Sequence, residues 1–444
     1  MKLLLIIFSL FYSLVSFGQE GLTVVAVGDA TRELDKIYFD GPYVKGPMNN
    51  AQVKMAEELM ELFRNDFAFY KKSFSVEKGQ AQRGSMSGVK YQRLRSQGIQ
   101  FLLRIELEAK GQAELNYWFE FHRIPGEEMI YSNSGIVSST NLRDVGHSLA
   151  DSAYSKVTGK ESIFGSKILF VSDVGSNRSN IVKELYMMDF DGRRRKKLTR
   201  HGGTVISPAL SFDRKKVVYS LIRSERSKTR NVNLYMMDLT TGKSSLLSSR
   251  QGLNSGAVFM PGDKEILLTL SHTGNAEIYI MNLENKELKK VTKHFSPDVD
   301  PSIRVDGTLM TFLSGRSGTA MIYTADPRDV EKDVKRISFV GKFNATPRFN
   351  PAGTEIAFSS WLDERFDIFR INSDGTGLSR LTKDFGSNED PTYSNDGQFI
   401  AFSSQRVLSR TKAIQNIYIM DKDGEIIGQI SKDFGNCITP RWSK

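Results

Sequence analysis

The chain has 444 residues, 39% of them hydrophobic and 10% aromatic, which is too long for one ordinary domain and fits a globular, β-rich protein. Its formal net charge of +10 admits nucleic acid, anionic lipid or an acidic protein as partner classes. A single cysteine, Cys437, excludes an intramolecular disulfide and any cysteine metal cluster.

Residues 1–18 read as a secretory signal peptide. Lys2 is its short basic region, and Leu3–Phe17 is apolar but short for a membrane span. Ser16 and Gly18 place small residues at −3 and −1 of a cut before Gln19. No cysteine follows to carry a lipid, and no later stretch is long and apolar enough for a transmembrane helix. The mature chain is therefore expected to be exported and soluble, with no membrane span and no nucleic acid as its normal partner.

Residues 19–160 read as a small α+β domain. Leu22–Val27 is a β-type run. Asn49–Phe63 has a helical period, with Asn49 or Asn50 as cap and Val53, Ala56, Met60 and Phe63 on one face. Ala81–Gly98, rich in Gln, Ser, Arg and Gly, reads as a loop. Leu103, Ile105 and Leu107 alternate with polar residues, as do Leu115, Tyr117, Phe119 and Phe121. That is a half-buried hairpin turning near Lys110-Gly111. Met129–Ser138 is a further strand, and Asn141–Val157 a second helix ending at Gly159. His147 on that helix reads as a structural histidine.

Residues 161–444 carry a repeat. Tyr186, Tyr235, Tyr279, Tyr323, Phe369 and Tyr418 open a short signature such as Tyr418-Ile-Met-Asp421, at successive separations of 49, 44, 44, 46 and 49. A Ser or Thr follows each at 199, 248, 292, 338, 382 and 431. Two marks keeping one period of 40–50 residues, with four strands per unit, are the sign of a β-propeller. Asp-Gly or Gly-Asp turns such as Asp396-Gly397 join the first two strands of a unit. The first unit lacks a first strand and the chain ends with an orphan one, Ile438–Ser443. A six-bladed ring closed by the C-terminal strand follows. The basic run Arg193–Lys197 reads as a solvated outer edge.

The loops that lead into each first strand surround one mouth of the channel. They hold His201, Lys293, His294, Phe295, Asp298, Asp300, Phe343, Asn344, Phe385, Asn388, Asp390 and Phe434–Asn436. Aromatics mixed with carboxylates and amides suggest a protein-binding surface. Thr158-Gly159-Lys160 lacks the spacing of a phosphate loop, the five histidines (122, 147, 201, 272, 294) show no ligand spacing, and no nucleophile elbow occurs. No catalytic residue, cofactor or metal is expected.

Val145–Phe164, leading into Lys167–Val171, resembles the linker helix and first propeller strand of the TolB family, the periplasmic components of the Tol–Pal system. The spacing His147…Asp151…Thr158-Gly159…Phe164 carries the likeness, and the six WD40-like (PD40) repeats agree with it. The resemblance implies an α+β domain followed by an all-β six-bladed propeller, with no enzymatic activity. It implies a scaffold in the periplasm for outer-membrane integrity and cell division. Pal would bind the propeller mouth, TolA would bind the N-terminal segment, and other outer-membrane or periplasmic proteins are further possible partners. Mapped onto this chain, the mouth residues are Asn254, His294, Val299, Asp300, Asn344, Asn388, Asp390 and Asn436, with Asp300-Pro301 in the family's acidic-before-proline position. The N-terminal contacts would be Leu22, Val24 and Ala26. The loop Gln251–Gly256 lacks a histidine that the family carries. The alternative is an exported propeller enzyme, a lyase or glycosidase acting on polysaccharide, which would need Asp298, Asp300, Asp390 and His294 to converge.

Overall fold

The computed structural model describes residues 34–177, 180–223, 231–409 and 412–443. The signal peptide and the Leu22–Val27 run, with Leu22, Val24 and Ala26, lie outside the described residues.

The N-terminal domain is a sheet with helices on both faces. Its strands are β1 (Asp35–Lys45), β2 (Phe74–Lys78), β3 (Gln82–Arg83), β4 (Phe101–Lys110), β5 (Glu114–Arg123) and β6 (Glu128–Ser138). The order is β2-β1-β4-β5-β6, with β3 also on β1. Helix α1 (Asn50–Phe69) begins with a capping box: Asn49 Oδ1 accepts from Gln52 N–H at 3.0 Å, and Gln52 Oε1 accepts from Asn49 N–H at 3.1 Å. The amide of Gln52 also donates to the Gly111 and Glu114 carbonyls, which ties the helix to the β4–β5 hairpin. Val53 points outward at 43% exposure, so the buried stripe runs instead through Met55, Ala56, Leu59, Met60, Phe63 and Phe67. Helix α3 (Leu142–Thr158) packs beside α1 and ends at left-handed Gly159. Alternation aims Leu103, Ile105, Leu107, Leu115, Phe119 and Phe121 at these two helices.

Ala81–Gly98 is not a plain loop. It holds β3 and a short helix α2 (Tyr91–Ser96), whose Tyr91 and Leu94 cover Leu102 and Ile124 on the second face of the sheet.

The propeller has six four-stranded sheets. The strands within a blade are called A to D from the channel outward. Blade 1 is Cys437–Trp442, Lys167–Ser172, Glu184–Asp189 and Lys196–Lys197. Its strand A is the C-terminal strand, antiparallel to strand B with Cys437 opposite Ser172 and Trp442 opposite Ile168. Blades 2 to 6 begin with strands A at Thr204–Leu210, Asn254–Phe259, Asp298–Ile303, Asn344–Phe349 and Ser387–Tyr393. Strands A of successive blades touch around the whole ring.

In five blades the Ser/Thr mark bonds the residue just before the aromatic mark. In blade 1 the Thr199 hydroxyl accepts from Leu185 N–H, the residue before Tyr186, at 2.9 Å. Thr292, Ser338, Thr382 and Ser431 do the same for Ile278, Ile322, Ile368 and Ile417. Each aromatic lies directly opposite a bulky strand-B residue, as in Phe170–Tyr186, Tyr219–Tyr235 and Phe402–Tyr418. In blade 4 the connection between strands C and D contains a short helix, Val330–Asp333, and the interval between the two marks is longer there.

The domains share one apolar core. Phe69 meets Phe190 edge-on at 5.0 Å, and Tyr70 meets Phe399 at 5.2 Å. The Tyr70 hydroxyl donates to Asp396 at 2.6 Å and accepts from Ile163 N–H at 3.1 Å. Lys71 pairs with Glu425, Lys72 with Asp421, and Arg143 with Asp189 and Asp191. All these propeller groups are on the A–B and C–D turn end of blades 1 and 6. The basic run is therefore not simply solvated. Arg194 pairs with Asp144 and Asp189, and Arg195 donates to the Ile430 and Lys432 carbonyls of blade 6.

Candidate partner-binding mouth

The opposite end of the ring, where the D–A loops meet, carries no part of the N-terminal domain among the contacts above. Its inner wall is built by one repeated distortion. Strand A breaks register with strand B in every blade. The residue at the break has a positive φ each time: Ser207 49°, Gly256 61°, Asp300 52°, Thr346 50°, Asp390 56° and Thr439 49°. Proline follows in five blades, at 208, 301, 347, 391 and 440. Five non-glycine residues in the left-handed region form a ring of stored strain, which concentrates at functional sites.

Asp300 and Asp390 occupy two of these six positions. Asp300 Oδ1 accepts from Arg348 Nη2 at 2.9 Å. Arg348 and Arg441 are equivalent, each two places past its bulge residue, and each folds one Nη1 back on the preceding proline carbonyl, at 2.6 and 2.8 Å. Burial pushes the Asp390 carboxyl up, and the nearby Arg441 and Arg348 pull it back. Burial, with Arg348 close by, brings Arg441 down to about 10. Neighbouring Glu389 is pushed up to about 7, first by burial and then by Asp390. The channel thus holds two carboxylates and two guanidinium groups within electrostatic reach. Arg348 and Arg441 were not anticipated. The Pro-Arg pairs 347–348 and 440–441, at one repeat position, were the available signal.

The expected mouth amides lie elsewhere. Asn254, Asn344 and Asn388 are buried, not at a surface. Each sits at the start of strand A, where its side chain turns into the blade and staples its own loop. Asn254 donates to the Val232 and Arg250 carbonyls and accepts from the Ser248 hydroxyl. Asn344 donates to Val340 O and Ser360 Oγ, and Asn388 to Asp367 and Thr382. Asp298, at the same position, is buried and bonded to Arg316 at 2.9 Å. Half-buried Asn436 bonds Asp173 and accepts from Gln415 N–H, joining blades 1 and 6. Val299 is half-buried and packs on the core between blades 4 and 5. His294 accepts from Ser296 N–H and lies tilted against Phe295, with ring centroids 4.2 Å apart.

The aromatics divide into two groups. Phe385 and Phe434 close the blades edge-on against Tyr418 and Tyr186, under Arg406 and Arg195. His201 bonds the Tyr219 hydroxyl. Phe295 is 85% exposed, Phe339 74% and Phe343 38%, on two neighbouring loops. Asp298 and His294, needed by an enzymatic centre, are committed to these structural bonds. Among the described residues no group of three His, Cys, Asp or Glu could hold a metal ion, and no helix is long and apolar enough to cross a membrane.

An α+β domain docked on the turn end of a six-bladed ring, with the loop mouth uncovered among the described residues, defines a two-domain propeller protein. Residues 154–443 match the TolB beta-propeller domain (PD40), and the chain belongs to this family. It is 26% identical over 340 residues to the Tol-Pal system protein TolB of Francisella tularensis subsp. tularensis, covering 74% of this chain and 75% of the relative. The protein of the same name from F. tularensis subsp. mediasiatica is also 26% identical, covering 74% and 76%. The crystal structure of TolB from Acinetobacter baumannii superposes with a TM-score of 0.73 at 22% identity, over 93% of this chain and 97% of that one, a likeness of fold.

Proposed function

We propose that the chain is a periplasmic binding scaffold of the Tol–Pal envelope system, released by removal of its signal peptide. Pal docks on the propeller mouth and TolA on the segment containing Leu22, Val24 and Ala26, in support of outer-membrane integrity and cell division. The family and the names of the relatives support the system. One observation supports the site: the N-terminal domain covers the turn end of blades 1 and 6, and among the described residues nothing of it reaches the mouth with Asp300 and Asp390. Coupling between the two ends would run through the shared core and be reciprocal.

Calorimetric titration of residues 19–444 with the soluble domain of Pal from the same organism tests this. Saturable binding weakened by Asp300→Ala is the expected result. Binding untouched by the substitution moves the site, and no binding at high concentration removes the Tol–Pal reading.

A further inference from the structure

At the turn end, Asp191, Asp421 and Asp423 receive Arg143 and Lys72 of the N-terminal domain. At the mouth the loops are basic. Each of the six D–A loops carries a cation: Arg200, Arg250, Lys293, Lys342, Lys383 and Lys432. Arg200, Lys342, Lys383 and Lys432 are exposed, and none makes an ion pair among the described residues. Of the acids in these loops, Asp384 is already held by Arg365 at 2.7 Å, and Asp433 stands exposed beside Lys432, which leaves the six loops a net excess of cations. Exposed Phe295 and Phe339 stand among the cations, with the Arg336 guanidinium 4.5 Å above the Phe339 ring.

We infer that the mouth is built for a partner protein with an acidic rim, an inference that rests on the mouth being the docking site proposed above. The molecule already joins two surfaces by charge once, with Lys72 and Arg143 of the N-terminal domain on Asp421 and Asp191, and Arg194 of blade 1 on Asp144. The cations surround the whole opening and steer an acidic surface from any side. The apolar anchors are confined to the loops of blades 4 and 5, so they fix one orientation. A bilayer would meet the ring as a plane and could not use Asp300 and Arg348, which are recessed at the bulges. A folded partner with an acidic border and one apolar recess matches all three features.

The test titrates the soluble Pal domain at about 50 and about 300 mM NaCl, where screening lengths differ by more than twofold. It uses wild-type protein and the combined Lys342→Glu, Lys383→Glu, Lys432→Glu variant, with melting curves to confirm folding. Wild-type affinity is expected to fall about tenfold at high salt, and the variant to lose about tenfold at low salt and most of its salt dependence. Affinity indifferent to salt and to charge reversal overturns the inference and leaves the proposed function standing. Wild-type protein that ignores the Pal domain ends that function, and labelled polyglutamate becomes the probe: binding lost in the variant supports the inference, and no binding overturns it. Phosphatidylglycerol vesicles are the second arm. Wild-type sedimentation with them that the reversal abolishes, while Pal binding is unchanged, overturns the inference in favour of lipid.

Discussion

Asp300 of blade 4 and Arg348 of blade 5 are joined at 2.9 Å, whereas Asp390 and Arg441, at the same repeat positions in blades 6 and 1, share no hydrogen bond. The channel therefore carries one closed and one open charge pair. Arg348 is buried to 11% side-chain exposure, so removing its partner strands a charge. Asp300→Ala should cost about 2–4 kcal/mol in urea unfolding. Asp300→Asn keeps an acceptor and should recover most of this. Equal stability of wild type and the alanine variant would show that water satisfies Arg348. Comparing both variants also separates lost folding from lost partner binding.

Ring closure depends on the last strand. Trp442 is buried, its indole N–H donates to Ser166 Oγ at 2.7 Å, and Ser443 and Lys167 exchange two bonds at 2.7 Å. Trp442→Ala should cost about 3–5 kcal/mol, as a large side chain leaves a cavity. Deleting Ile438–Lys444 removes the pairing as well and exposes strand B of blade 1 as an open edge. The melting temperature should then drop sharply and the protein associate at rising concentration. Calorimetry and light scattering read both effects, and an unaltered melting curve would refute closure as a source of stability.

Much of this architecture could be read from residues alone, for a physical reason. The residue before the aromatic mark and the Ser/Thr mark are two ends of one bond, as in Leu185 N–H to Thr199, which holds their spacing nearly constant and lets it lengthen only where the short helix Val330–Asp333 is inserted. Strand β1 escaped notice because Gly41-Pro42 interrupts its alternation, where pairing with β4 slips between Asp40 and Tyr43. The loop amides misled for a different reason. An asparagine beside glycine and phenylalanine in a loop looks exposed, and only the turn into strand A sends Asn254 and Asn344 inward. Arg348 and Arg441 gain their meaning from the closed ring, which places residues of four blades around one channel.

The junction of the two domains should respond to acid through Asp66. His147 links α1 to α3, its Nδ1 2.8 Å from Asp66 Oδ2 and its Nε2 3.0 Å from the Arg143 guanidinium. Arg143 donates, so Nε2 accepts and Nδ1–H donates to the carboxylate. Burial raises Asp66 to about 6 from 3.8, against the pull of His147 and Arg143. A carboxyl raised on folding binds its proton more tightly in the native state. Between about pH 4 and 6 the native chain holds more protons at this site, so this group's contribution to stability falls as pH rises and is level above that window. The amount is about 2–3 kcal/mol. Asp66→Asn keeps an acceptor for His147 and removes the titration. Its stability relative to wild type should therefore climb from pH 4 to pH 6 and then hold. Urea unfolding of both proteins across this range reads that difference. A difference that stays flat with pH would mean that His147 and Arg143 fully offset the burial of Asp66.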